Sequence, residues 1–95
     1  MARYRLSNEG KEDLIRIHHY GVVKLGMAQA DTYFHAFFEH FDRIAQKPFS
    51  FESIDHGKKG HRRCVCGLDS IFFRLNNDRV EIMAIVGRQD LDNLL

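Results

Sequence analysis

Two hydrophobic periods divide the chain. Tyr4 and Leu6 alternate with Arg3, Arg5 and Ser7, which predicts a short opening strand. Ser7 or Asn8 can then cap a helix by accepting a bond from a free N–H of its first turn. Glu9, Glu12 and Asp13 follow where the helix dipole favours acidic residues, and Leu14, Ile17, Gly21 and Leu25 recur at helical spacing until Gly26. A second helix is predicted from Met27 to Ala45. Its apolar residues Ala30, Phe34, Phe37, Phe41 and Ile44 step by four, three, four and three. A one-residue break between two helices predicts a tight helical hairpin. Lys47-Pro48 stops the second helix. No period holds from Phe49 to Gly60, so this stretch is expected to be a loop tied down by Phe49, Phe51 and Ile54.

The period then changes to two. Arg62–Cys66, Ser70–Leu75 and Arg79–Val86 each alternate as strands, separated by Gly67-Leu68-Asp69 and by Asn76-Asn77-Asp78. Asn and Asp tolerate positive φ, which suits a hairpin turn. Connections this short make the three strands an antiparallel meander. The expected fold class is therefore α+β: an N-terminal strand and a helical hairpin packed on an antiparallel sheet, which the C-terminal meander completes. Residues 1–95 are expected to form a single domain, because a chain of this length holds one core.

Composition sharpens this picture. An apolar share of 44%, with eight Phe, fits a folded globule rather than a disordered tail. A formal charge of +1 is too balanced for affinity built mainly on neutralising phosphates, so sequence-specific nucleic-acid binding is not expected. No apolar run approaches membrane-spanning length, and Met1-Ala2-Arg3-Tyr4-Arg5 leads into no apolar signal region, so the expected location is the cytoplasm, away from membranes.

Candidate chemistry is sparse. His18 and His19 are adjacent and point about 100° apart on a helix, and His35 and His40 lie five apart, off a common face. Neither spacing makes a metal site, and no cofactor is expected. Cys64 and Cys66 share one face of a strand at the upper limit of disulfide reach, and are expected as small half-buried thiols. His61 faces away from both, which argues against a Cys–His dyad. Gly-x-Ser-x-Gly and phosphate-loop spacings are absent. What remains is a basic stretch, Lys58, Lys59, His61, Arg62 and Arg63, either a solvated strand entry or a contact for an acidic partner.

The layout resembles the RelE/ParE toxin superfamily. The similarity is carried by Tyr4-Arg5-Leu6-Ser7 with Asp13-Leu14, Ile17 and Tyr20; by Gly26, Ala30 and Tyr33; and by Ile44-Ala45 with Pro48. It continues through Gly60-x-Arg62, Gly67, Ile71-Phe72-Phe73-Arg74, Val80-x-Ile82 and Ile85–Asp90. Asp69 stands where the family usually has His, Phe73 where it has Tyr, and Val86-Gly87 where a Leu-His pair is common. RelE-like members are ribosome-dependent mRNA ribonucleases, and cleavage by a 2′-hydroxyl needs groups that move protons. This chain has no His after His61 and no Tyr after Tyr33. The resemblance therefore favours the ParE branch. It implies a non-enzymatic toxin that binds DNA gyrase, stabilises the cleaved-DNA state and is neutralised by a ParD-like antitoxin. A ribonuclease, or a non-toxic member that keeps antitoxin binding, is the alternative. The residues expected to meet gyrase are Arg62, Arg63, Arg88 and Asp90. Those expected to line an antitoxin groove are Leu14, Ile17, Tyr20, Phe49 and Phe51.

Overall fold

A computed structural model describes residues 4–54 and 60–87. The chain runs β1 (Tyr4–Leu6), α1 (Asn8–Leu25), α2 (Met27–Gln46), a 3-10 turn (Pro48–Ser50), β2 (Glu52–Ile54), β3 (His61–Cys66), β4 (Asp69–Asn76) and β5 (Arg79–Gly87). Ser7 is the cap of α1: its hydroxyl accepts the Gly10 N–H at 2.9 Å. The helices meet at Gly26 and the meander turns at Gly67-Leu68 and Asn77-Asp78, with φ of 58° at Asn77.

The strands form one sheet in the order β1-β5-β4-β3-β2. The meander is antiparallel as expected, but β1 lies parallel to β5, with Tyr4 opposite Val80 and Leu6 opposite Ile82. The sheet is therefore mixed. The second departure is β2, which pairs antiparallel with β3 inside the stretch expected to be a loop. Three residues are too few to show a period of two, so only the partner strand reveals this element.

Both helices cover one face of the sheet. Phe37, Phe41 and Ile44 of α2 and Leu14 of α1 pack on Ile71, Phe73, Val80, Ile82 and Ile85, with both cysteines in the same cluster. Phe37, Phe41 and Phe73 are fully buried, and each such ring removes enough apolar surface to be worth about 2–3 kcal/mol. Tyr4 reaches the ring of Phe41 at 5.4 Å, which ties the edge strand to the second helix. The first turn of α1 lies directly on β5: a Cβ at Gly10 would sit 2.9 Å from the Ile82 carbonyl oxygen, so only glycine permits this approach.

Candidate functional site

The sheet face turned away from the helices carries a row of charge. Cross-strand pairing aligns Arg5, Glu81, Arg74, His61 and Ile54 from one edge to the other. Glu81 is the centre of this row. Arg5 Nη2 donates to its Oε2, and Arg74 Nε donates to its Oε1 at 2.8 Å. The Arg74 hydrogen bond, aided by Arg5, holds the Glu81 carboxyl below its usual range despite its burial. One rank along, Arg63 Nε lies 2.8 Å from Glu52 Oε1 across the β2–β3 pair. A depression of about 290 Å³ at the β4–β5 turn is lined by Arg5, Asn76, Asn77, Asp78, Arg79 and Glu81.

Arg62 belongs to the opposite, helix-facing side of β3. Its Nη1 donates to the Phe51 carbonyl oxygen at 2.7 Å, and its guanidinium lies 5.0 Å from the centroid of the Phe49 ring. Phe51 is half-buried, edge-on to Phe73 at 5.9 Å. Phe49 is 70% exposed, so Arg62 and Phe49 present a cation and an aromatic face together on the surface. Arg62 and Arg63 are separated from the end of β5 by the width of two strand spacings, about 10 Å, so the fold places them apart from Gly87. Arg88 and Asp90 lie outside the described residues.

The helical surface differs from the sequence expectation. Leu14 is 3% exposed and belongs to the core, because its position faces β5; it cannot line a groove. Ile17 is half-buried and packs against the same core. Tyr20 is exposed, with the Lys24 ammonium 5.9 Å from its ring centroid. Ile15, Val23, Leu25 and Met27 are also exposed large apolar side chains. Ile15, His19 and Val23 are spaced by four and make one outward stripe on α1. The signal for them in the sequence was their position off the core period: an apolar residue that misses the buried stripe must face elsewhere.

Two helix side chains reach the end of the sheet where β5 finishes. Tyr33 of α2 places its hydroxyl 2.6 Å from Asp69 Oδ2 and 2.8 Å from the Cys66 carbonyl oxygen. Burial, then the Asp69 carboxylate, push the Tyr33 phenol up and keep it protonated. The turn residue Gly67 has φ of 59°, and a Cβ there would meet the Tyr33 hydroxyl at 2.7 Å. Asp69, which departs from the family's usual His, is thus the partner of Tyr33. From the other side, Asp13 of α1 accepts the Ile85 N–H at 2.9 Å. The sequence offered Asp13 as an acidic residue near the start of the helix and as part of the family resemblance, not as a partner of β5.

Cys64 and Cys66 are free and buried. Burial, then the neighbouring Cys64 and Asp69, push the Cys66 thiol up to about 11, so it is not an activated nucleophile. No cluster of metal-binding side chains occurs among the described residues. No helix among them is long and apolar enough to cross a membrane.

The α-hairpin on a mixed five-stranded sheet places the chain in the class of ParE and RelE toxin folds. The family described as the ParE toxin of type II toxin-antitoxin system, parDE, matches residues 4–91. Toxin ParE1 of Caulobacter vibrioides is 33% identical over 86 residues, 90% of this chain and 88% of that protein. Among solved structures, the chromosomal ParDE TA system from P. aeruginosa superposes with a TM-score of 0.79 at 19% identity, covering 92% of this chain and 96% of that one. The toxin-antitoxin complex RelBE2 from Mycobacterium tuberculosis gives 0.70 at 14% identity, with 92% and 98% covered. The chain belongs to the ParE toxin family and is a ParE-type toxin of a type II toxin-antitoxin system.

Proposed function

We propose that this toxin acts in the cytoplasm as a single binding domain, without catalysis, by gripping DNA gyrase in its cleaved-DNA state, and that a ParD-like antitoxin neutralises it. The observation that carries the non-catalytic part is the ion pairing across the open sheet face. Arg5 and Arg74 are both spent on Glu81, and Arg63 on Glu52. A ribonuclease needs cations directed at a phosphate and groups that exchange protons with the ribose. Here Arg5, Arg74 and Arg63 close internal pairs.

The target contact is assigned to Arg62, Arg63, Arg88 and Asp90. The half-buried Arg62 lies over the exposed Phe49 ring, and Arg63, paired with Glu52, lies on the opposite face of the same strand. Antitoxin binding is assigned to the apolar outer side of the helical hairpin, with Tyr20, expected from the sequence, joined by Ile15 and Val23. An antitoxin tail that folds on binding gains its affinity from such exposed apolar residues. Phe49 and Phe51 lie by the opposite edge strand, so an antitoxin that also meets them must wrap across the domain.

The deciding experiment is a supercoiling and cleavage assay with purified toxin and gyrase. Gyrase-dependent linear DNA should accumulate, and Arg62→Ala should reduce it. No effect at several-fold molar excess, together with cut message on loaded ribosomes, would replace the gyrase target with a ribonuclease activity.

A further inference from the structure

The last strand is held along its length by different partners. β1 pairs with it only from Val80 to Ile82. Beyond that point its outer edge would present bare backbone groups, and a sheet edge left open is both unsatisfied and adhesive. Among the described residues no strand takes over. Groups from the cap and first turns of α1 do so instead. Ser7 N–H donates to the Ile82 carbonyl at 2.9 Å, and Ser7 Oγ donates to the Met83 carbonyl at 2.9 Å. Asp13 Oδ2 accepts the Ile85 N–H at 2.9 Å, and Arg16 Nη2 lies 3.4 Å from the Ile85 carbonyl. Arg16 also lies 3.6 Å from Asp13 Oδ1, one helical turn apart. One residue of β5, Ile85, is therefore met on its N–H by a carboxylate and on its C=O by a guanidinium. Both come from the same helix face.

Resting on the toxin function proposed above, we infer that Asp13 is a positioning residue. With Arg16 it clamps Ile85 so that β5 keeps its strand course to Gly87, from which the target-contacting stretch with Arg88 and Asp90 begins. The other flank of that exit is already fixed, since Asp69 is paired with Gly87 and held by Tyr33. Without the clamp, the outer edge at Ile85 has no other bond among the described residues. The strand end can then peel while Val80 and Ile82, paired to β1, stay in place. The effect of Asp13 on toxicity passes through the path of the chain.

The test pairs amide hydrogen exchange with growth arrest on expression without antitoxin. In Asp13→Ala the Ile85 amide should exchange at least about tenfold faster, the loss expected for a charged hydrogen bond. Val80 and Ile82 should keep wild-type rates, and growth arrest should be lost. Asp13→Asn keeps an acceptor oxygen and should restore both slow exchange and arrest. An Ile85 amide unaffected by Asp13→Ala overturns the clamp. So does equal acceleration at Val80 and Ile82, or full arrest in a variant whose Ile85 amide is freed. A wild-type chain that arrests nothing overturns the toxin function instead, and the exchange pattern still decides the clamp.

Discussion

At the scale of single residues, several side chains do work other than their type suggests. Cys64 and Cys66 are buried on the helix-facing side of β3, and the Cys66 thiol is pushed up to about 11 by burial first, then by Cys64 and Asp69. Thiol reagents at pH 8 should therefore leave both cysteines unmodified in the native protein and label both after denaturation; mass spectrometry counts the labels. Gly67 combines positive φ with a hydroxyl where its side chain would go. Gly67→Ala should destabilise the fold by roughly 1–3 kcal/mol, measured by urea denaturation, because strain and crowding act at one atom. Arg62, expected as a free basic contact, is bound at one nitrogen to the Phe51 carbonyl. Its guanidinium also lies over the ring of Phe49.

At the scale of elements, the apolar stripe of α2 is the organiser. Phe37, Phe41 and Ile44 are fully buried, and Phe41 touches Tyr4, Phe37 and Phe38. Phe41→Ala should cost about 3–5 kcal/mol, a large part of the stability of a domain this small, and should appear as a lower urea midpoint. α1 is different: one side is core and the other remains apolar. Leu14→Ala should weaken the fold, whereas Tyr20→Ala should leave the urea midpoint near wild type and weaken antitoxin binding; calorimetry separates the two. A Tyr20→Ala protein that binds antitoxin normally would remove that residue from the interface.

At the scale of the whole molecule, Glu81 joins three strands drawn from both ends of the chain. It receives Arg5 from β1 and Arg74 from β4, so it fastens the N-terminal strand to the meander. Its folded pKa is depressed, below a reference of 4.5. The stability it contributes is therefore present above that reference and is lost as pH falls through the lower folded value. Thermal melts from pH 7 to pH 2 should show Glu81→Gln with a flatter acid decline than wild type, and a lower melting temperature at pH 7. Equal acid slopes in the two proteins would place the acid sensitivity elsewhere.

The sequence by itself determined the local elements. Periods of 3.6 and 2, the Ser7 cap, the Gly26 break and the two hairpin turns are written in neighbouring residues, and they specified the helices, the three meander strands and the toxin family. What only the tertiary structure decided was long-range. The parallel pairing of β1 with β5 joins residues about as far apart as the chain allows, and no local period encodes a partner. The strand β2 was invisible because three residues carry no pattern. The burial of Leu14 against the exposure of Ile15 depends on which side of α1 meets β5. The clamps on Ile85 and Cys66 depend on where helix side chains land on a sheet formed by distant segments. Local preference is set by each residue and its neighbours, whereas contact across the fold is set by the packing of whole elements, and the candidate surfaces of this toxin are of the second kind.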